Sequence, residues 1–195
     1  MTSAKLRAQL EEHMALLINL HSNSVLLQKV EKAVDYIYQA LEMRLPVLVC
    51  GNGGSAADAL HFSGELVANF LQPRPALNVI CLNSNVAVLT AWSNDFGFAG
   101  IFARQVQAHG QAGGIVLGIS TSGCSENVVQ AFCEAKKLNM QTIALTGQGG
   151  GRLADVTDLL IDVHSCCTPR IQELHLPIYH YICEQVEERS KYASS

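Results

Sequence analysis

Five short apolar segments alternate with longer segments of helical pattern along most of the chain, and this alternation restricts the possible folds strongly. Strands that alternate with helices of about ten to fifteen residues are typical of βαβ units and a mainly parallel sheet. Right-handed crossovers gather the carboxyl ends of such strands at one edge, where ligands bind. We predict one α/β domain with strands at 46–50, 77–82, 114–119, 141–146 and 159–163.

Helical patterns separate these strands, and two further helices precede the first strand. We predict helices at 55–70, 102–108 and 126–137, another that begins over 86–92, and a closing helix at 169–189. The amino-terminal pattern covers 3–41 and breaks near 21–24. This helical extension, residues 1–44, has no sheet of its own to cover, so we expect its apolar face to pack against another subunit.

Composition narrows the class of protein. With 195 residues and 49% hydrophobic residues, the chain suits one domain whose sheet is buried on both faces, or an apolar subunit interface. The net charge of -4 and the lack of a basic run argue against a nucleic-acid surface. No stretch of about 18 residues is continuously apolar, and the first residues lack signal-peptide order. Seven scattered cysteines fit free thiols. We therefore expect a cytoplasmic protein that binds neither nucleic acid nor membrane.

Two loops rich in small polar residues follow predicted strands. The first reads G-N-G-G-S at 51–55, and the second reads S-T-S-G-C-S at 120–125. Neither continues into Gly-Lys-Ser/Thr, which argues against a nucleoside triphosphate, and no acidic residue follows between 66 and 94 to bind a ribose. Each loop alone fits a helix cap and tight turn better than a phosphate site. Two such loops in one βα framework favour a monophosphate site at helix N-termini.

Candidate acid–base residues follow the first loop and recur near the carboxyl terminus. His61 precedes Glu65 by four residues, so both lie on one helix face, an arrangement that solvated surface pairs also show. Gln172 and His180 lie about 80° apart around an ideal helix, although Pro177 between them is expected to kink it. The same helix holds two alternative candidates, Glu173 and His175.

These loops, with their flanking residues, and two further motifs resemble the phosphoheptose isomerases of the sugar isomerase (SIS) domain family. The motifs are C-G-N-G-G-S-A-A-D-A-L-H-F-S-G-E-L at 50–66, S-N-D-F-G-F at 93–98, L-G-I-S-T-S-G at 117–123, and T-P-R-I-Q-E-L-H at 168–175 with His180 beyond it. The resemblance covers residues 1–195 as a single SIS domain. It implies a three-layer αβα sandwich with a five-stranded, mainly parallel, flavodoxin-like sheet, and a homotetramer.

The resemblance also implies an activity and a site. Those enzymes interconvert sedoheptulose 7-phosphate and D-glycero-D-manno-heptose 7-phosphate, the first step toward the heptose of bacterial lipopolysaccharide. One zinc ion per subunit is implied, with the ligands His61, Glu65, Gln172 and His180. The implied substrate contacts are Asn52, Gly53, Gly54, Ser55, Glu65, Asn94, Asp95, Ser120, Thr121, Ser122, Ser125 and Gln172.

The chemistry of an aldose–ketose isomerase assigns roles within this set. Proton transfer between C1 and C2 through an enediol needs a base and a proton donor or Lewis acid at the oxygens. Glu65 is the better candidate for the base, and His180 can protonate an oxygen. A carboxylate on zinc is a weaker base, so Glu65 either leaves the metal during turnover or serves metal and substrate at different stages. Both alternatives stay open.

One position departs from the pattern of the phosphoheptose isomerases. Many of them carry arginine four residues after the catalytic glutamate, where this chain has Asn69, so turnover or sugar specificity could differ. A second hypothesis is a non-catalytic SIS-domain protein that binds the bacterial replication initiator. Retention of His61, Glu65, Gln172 and His180 favours the enzyme, because a scaffold has no chemical need for them.

Overall fold

Every neighbouring pair of strands in the sheet runs parallel. The computed structural model describes residues 2–192, and within them five strands form one sheet in the order β2-β1-β3-β4-β5. The strands are β1 (Val47–Gly51), β2 (Val79–Cys81), β3 (Ile115–Ser120), β4 (Gln141–Thr146) and β5 (Leu159–Asp162). This order is that of flavodoxin-like folds, which confirms the predicted sheet.

Seven α-helices accompany the sheet within the described residues. They are α1 (Thr2–Ser22), α2 (Ser24–Glu42), α3 (Gly54–Val67), α4 (Val86–Phe96), α5 (Ile101–His109), α6 (Glu126–Lys137) and α7 (Thr168–Tyr192), with 3₁₀ turns at Phe98–Gly100 and Gly151–Asp155. The predicted break near 21–24 is confirmed, and Asn23 caps α2 by accepting a hydrogen bond from the Leu26 N–H. The predicted end of α3 at residue 70 is wrong by three residues.

Two apolar clusters form the core, one on each face of the sheet. Side chains alternate along β3, so that Ile115 and Leu117 join the cluster with α2, α3 and α7, whereas Val116 joins the cluster with α5 and α6. All three side chains are essentially inaccessible to solvent. The chain is therefore a three-layer αβα sandwich with helices on both faces, as predicted.

Within the amino-terminal extension, α2 packs on the sheet with its buried apolar face, so the expectation that the extension has no sheet to cover is wrong for this helix. Helices α1 and α4 add only partly buried side chains to the core. On α1, apolar side chains that include Leu10 and Ile18 are more than half exposed. Helix α4 has no buried residue, and Phe96 at its end is 70% exposed. Neighbouring apolar residues at this exposure mark surfaces that partners cover. None of the helices within residues 2–192 combines the length and apolar character needed to cross a membrane.

Candidate active site

The first glycine-rich loop joins β1 to α3 at the carboxyl edge of the sheet. Asn83 holds the end of β1, because its side-chain amide donates to the Gly51 carbonyl at 2.9 Å and accepts from the Gly51 N–H at 3.2 Å. Gly53 has a φ of +57°, a left-handed conformation that favours glycine. No side chain caps the start of α3, so the positive end of its dipole faces the loop.

The second loop joins β3 to α6 and presents hydroxyl groups. The Oγ atoms of Ser120 and Ser125 lie 3.0 Å apart. Gly123 has a φ of +62°, and a Cβ atom there would lie 1.9 Å from the Gly150 carbonyl oxygen, so only glycine fits. As at α3, no side chain caps the start of α6. The loop therefore combines a pair of hydroxyls in contact with each other with a second helix N-terminus whose N-cap side chain makes no capping hydrogen bond.

A reciprocal amide pair joins the two loops. Asn52 Nδ2 donates to Asn127 Oδ1 at 2.8 Å, and Asn127 Nδ2 donates back to Asn52 Oδ1 at 2.9 Å. Asn127 is buried in the first turn of α6, and its Oδ1 also accepts from the Val128 N–H at 3.0 Å. Sequence reasoning missed Asn127, because the residue lies beyond the loop motif and its partner is 75 residues away.

The two loops and the start of α7 enclose a cleft of about 280 Å³. Its lining includes Thr168 and Gln172 from the first turns of α7, and Gly54 and Ser125 from the other two helices. Three helix N-termini therefore converge on one cleft, which is a favourable environment for an anion. The predicted substrate contacts found in its lining are Asn52, Gly53, Gly54, Ser55, Ser120, Thr121, Ser125 and Gln172.

A larger groove of about 570 Å³ lies elsewhere, between the end of α2 and residues 75–78. It borders the segments that lead into β1 and β2, at the amino ends of these strands. Ligands of open α/β sheets bind at the carboxyl ends. We therefore place the site at the smaller cleft despite the difference in volume.

The remaining predicted contacts lie outside the cleft lining. Asn94 and Asp95 are exposed on α4, where Asn94 Nδ2 donates to Asp95 Oδ1 at 2.9 Å. Ser122 is exposed, and its Oγ accepts from the Cys124 N–H at 3.1 Å. Glu65, the fourth predicted contact outside the lining, belongs to the acid–base candidates on α3, and a role for all four residues in substrate binding stays a prediction.

The acid–base candidates lie farther along α3 and α7, which run side by side. His61 Nε2 lies 2.9 Å from Glu65 Oε1, and His61 Nδ1 lies 3.1 Å from the hydroxyl of Tyr179. That hydroxyl also lies 3.4 Å from Asp58 Oδ1. The rings of His61 and His180 meet edge to face, with centroids 4.9 Å apart. The structure therefore brings three of the four predicted metal ligands together and adds Asp58 and Tyr179, which sequence reasoning did not place in the site.

Burial shifts the pKa of three groups in this cluster, Asp58, Tyr179 and His180. Burial raises the pKa of Asp58, while Tyr179 and His61 act in the opposite direction. Burial also raises the pKa of Tyr179, with Asp58 adding to the effect. For His180, burial and the neighbouring His61 lower the pKa. A neutral His180 ring is therefore favoured, and its buried Nε2 has no hydrogen-bond partner among residues 2–192.

Gln172 lies nearer the cleft than the other predicted ligands. A Cβ atom built on Gly54 would lie 2.3 Å from Gln172 Nε2, so the glutamine side chain lies directly against the start of α3. His61 follows Gly54 by seven residues, about 10 Å along the helix axis. Within residues 2–192, no three His, Cys, Asp or Glu side chains are arranged to enclose a metal ion. The zinc site stays a prediction.

A buried ion pair fixes the backbone that carries Glu65. Arg74 donates to the carbonyl of Glu65 at 2.7 Å and to that of Leu66 at 2.8 Å. Glu187 lies 3.3 Å from Arg74 Nε, and both side chains are almost wholly inaccessible. Asn69, where arginine was expected, is exposed and lies beyond the end of α3. We call Arg74 and Glu187 the C-terminal clamp of α3.

Comparison with known proteins shows the family to which the chain belongs. The family model of the SIS domain matches residues 14–147. The phosphoheptose isomerase of Crocosphaera subtropica is 49% identical over 157 residues, which are 80% of each chain. That of Citrifermentans bemidjiense is 45% identical over 183 residues, which are 94% of each chain.

Solved structures show the same similarity in three dimensions. A phosphoheptose isomerase from Francisella tularensis superimposes with a TM-score of 0.92 at 37% identity, over 96% of this chain and 99% of that one. The enzyme from Neisseria gonorrhoeae gives 0.89 at 35% identity, over 96% of this chain and 100% of that one. The chain therefore belongs to the phosphoheptose isomerase family of SIS-domain proteins.

Proposed function

We propose that this protein interconverts sedoheptulose 7-phosphate and D-glycero-D-manno-heptose 7-phosphate, at the step that leads toward the heptose of lipopolysaccharide. The observation that carries the proposal is the convergence of three helix N-termini on a hydroxyl-lined cleft in a chain of this family. Such a cleft suits a phosphate monoester, which needs several donors and little buried cationic charge. The free thiols of all seven cysteines support a reducing compartment, for which we propose the cytoplasm.

In this mechanism, the cleft holds the phosphate and the acid–base cluster moves the proton. Ser120 and Ser125 donate to the phosphate, and the uncapped helices contribute their dipoles. Glu65 removes the proton from the carbon next to the carbonyl and returns it to the neighbouring carbon. His180 exchanges a proton with the substrate oxygens, since its neutral ring can both accept and donate.

The distance between the cleft and the acid–base cluster supports an active site that is shared between subunits. Glu65 follows Gly54 by eleven residues, about 16 Å along α3. This axial span between backbone positions is longer than the carbon chain of an extended heptose, before the phosphate ester and the Glu65 side chain are counted. We therefore propose that another subunit of a homotetramer completes each site. The exposed apolar faces of α1 and α4 supply surfaces for this assembly.

Zinc is the proposed cofactor, one ion per subunit. The imidazoles of His61 and His180 and the carboxylate of Glu65 are donors that zinc prefers. The buried Nε2 of His180, which has no hydrogen-bond partner, fits this use. Gln172 would complete the set only after its side chain leaves its position against Gly54, about 10 Å along α3 from His61. When bound, the ion would polarise the substrate carbonyl.

The direct test is turnover of sedoheptulose 7-phosphate by the purified protein, with and without a chelator. Glu65→Gln should lower kcat by about 10²- to 10⁴-fold, because it removes the base, while phosphosugar binding remains measurable. Glu184→Gln, on the exposed face of α7, is the matched control and should retain full activity. Full activity of Glu65→Gln would remove the proposed base. No turnover under any metal condition, together with binding to the replication initiator, would establish the non-catalytic alternative.

A further inference from the structure

A series of contacts within hydrogen-bond distance connects a half-buried carboxyl group to the candidate base. It begins at Asp58, passes through the hydroxyl of Tyr179 to Nδ1 of His61, and continues from Nε2 of His61 to Glu65. Tyr179 is 1% exposed. The second carboxyl oxygen of Asp58 is buried and has no hydrogen-bond partner.

The hydroxyl of Tyr179 carries a single hydrogen for two acceptors, and this restricts the proton on the His61 ring. When Tyr179 donates to His61 Nδ1, the neutral ring carries its hydrogen on Nε2 and donates it to Glu65. When Tyr179 donates to Asp58, its oxygen accepts the hydrogen of His61 Nδ1, and Nε2 keeps a free lone pair. Only the second arrangement leaves Nε2 able to bind a metal ion.

We propose that Tyr179 is a positioning residue that selects the tautomer of His61, with Asp58 as the second acceptor of its hydroxyl. In the first tautomer, His61 donates to Glu65 and holds the carboxylate in place. In the second, Nε2 faces the metal site while Glu65 is released. The two tautomers of His61 therefore correspond to two states of Glu65, one held by His61 and one released from it. This connects the tautomer of His61 to the choice between Glu65 as a metal ligand and Glu65 as a base. The selection of the tautomer is inferred from the contacts of the Tyr179 hydroxyl with Asp58 and His61. Its effect on metal binding and catalysis rests on the proposed function.

A purely structural role for Tyr179 is the competing explanation. Its ring is among the largest fully buried side chains, and it packs edge to face against His61 with centroids 5.5 Å apart. Phenylalanine would preserve this packing and remove only the hydroxyl. The chain also provides a matched control on the same helix, since the hydroxyl of Tyr181 contacts Glu31 on α2.

The test combines Tyr179→Phe, Asp58→Ala and the control Tyr181→Phe. The first readout is the ¹⁵N chemical shifts of the His61 ring in metal-free protein, which distinguish the two tautomers. We expect Tyr179→Phe to shift the tautomer population, because Nδ1 loses its partner. Asp58→Ala should increase the tautomer with hydrogen on Nε2, since the hydroxyl then has only His61 as acceptor. Tyr181→Phe should leave the shifts unchanged.

The second readout is zinc affinity, measured by competition with a chromophoric chelator. Loss of a hydrogen-bond partner behind a ligating histidine lowers metal affinity by roughly 10- to 100-fold, so we expect this loss in Tyr179→Phe and Asp58→Ala. Unchanged His61 shifts in Tyr179→Phe would overturn the inference, whether or not the protein binds zinc. Absence of zinc binding in the unaltered protein, with altered shifts in Tyr179→Phe, would instead count against the proposed cofactor.

Discussion

The two ends of the neighbouring helices α3 and α7 differ in how their polar groups are satisfied. We call the end at Gly54 and Gln172 the open end, and the end that holds the C-terminal clamp of α3 the closed end. At the first end, Gly54 and Gln172 line an open cleft, and no side chain caps α3. At the second end, the C-terminal clamp of α3 leaves both of its charged side chains at most 2% exposed. Glu187 accepts hydrogen bonds from three consecutive N–H groups, those of residues 70–72.

This difference assigns ligand binding to the open end and positioning of the candidate base to the closed end. The open end leaves a helix dipole uncompensated, which costs stability in the free protein and favours an anionic ligand. The closed end satisfies the carbonyls of Glu65 and Leu66, so the backbone of the candidate base is fixed before substrate arrives. A substitution at the closed end should therefore change stability, and one at the open end should change ligand binding.

The largest effect is expected at the closed end, from Glu187→Gln. Burial opposes ionisation of Glu187, but the three backbone N–H groups and Arg74 outweigh it and lower its pKa. Removing this charge leaves the Arg74 guanidinium buried without a counter-ion, which should lower the free energy of unfolding by about 3–5 kcal/mol. Urea denaturation measures the change.

The matched control for Glu187→Gln is Glu126→Gln. Glu126 pairs with Arg152 on the surface, where both side chains are about half exposed, so the denaturation midpoint should not move. Equal midpoints for Glu187→Gln and the unaltered protein would show that the clamp is not a stabilising element.

The C-terminal clamp of α3 also explains why the end of this helix was predicted incorrectly from the sequence. Helix α6 and strand β4 occupy the predicted residues, because their apolar periodicity and flanking signals are local. Helix α3 was predicted to reach Phe70, whose apolar side chain continues the helical pattern. It ends at Val67 because Arg74 binds its last carbonyls and Glu187 binds the following N–H groups. Glu187 lies more than 110 residues away, and no local pattern encodes that contact.

In the candidate site too, features encoded by neighbouring residues could be predicted, whereas contacts between residues far apart in the sequence could not. Both loops were predictable, since glycine and hydroxyl residues after a strand have a local conformational meaning. The Asn52–Asn127 pair and the contact between Tyr179 and His61 were not, because each joins residues from separate helices or loops. The four predicted metal ligands have a suitable chemistry, but the position of Gln172 against Gly54 depends on how α3 packs on α7.

The second largest effect is expected between the two ends, at the buried His175 of α7. Burial lowers its pKa to about 4, while its Nε2 lies 3.2 Å from the Thr146 carbonyl oxygen. The unfolded chain, with a pKa near 6.5, binds more protons between these values, so stability falls as pH falls from about 6.5 to about 4. The full loss is roughly 3 kcal/mol, from about 1.4 kcal/mol per pKa unit.

The test of this pH dependence is His175→Gln, which retains a donor for the Thr146 carbonyl and does not titrate. Its unfolding free energy should depend less on pH between 6.5 and 4 than that of the unaltered protein. Substitution of the exposed His164 by glutamine is the control and should keep the original pH dependence. The assignment fails if both variants follow the unaltered protein.

The smallest effect is expected at the open end, from Ser125→Ala. Within residues 2–192, the side-chain partner of the Ser125 hydroxyl is Ser120, and the hydroxyl lines the cleft, so stability should change by less than about 1 kcal/mol. A hydrogen bond to a charged group contributes about 1.5–3 kcal/mol, so the Kd for a phosphosugar should rise roughly ten- to hundredfold.

Isothermal titration with sedoheptulose 7-phosphate measures the affinity, and urea denaturation of the same sample measures the stability. Ser190→Ala is the control, because its hydroxyl donates to the Val186 carbonyl near the end of α7, away from the cleft. Weaker binding with unchanged stability in Ser125→Ala alone would confirm that the open end contributes to ligand binding and not to the stability of the fold. A loss of stability comparable to that of Glu187→Gln would mean that the open end also holds the fold together.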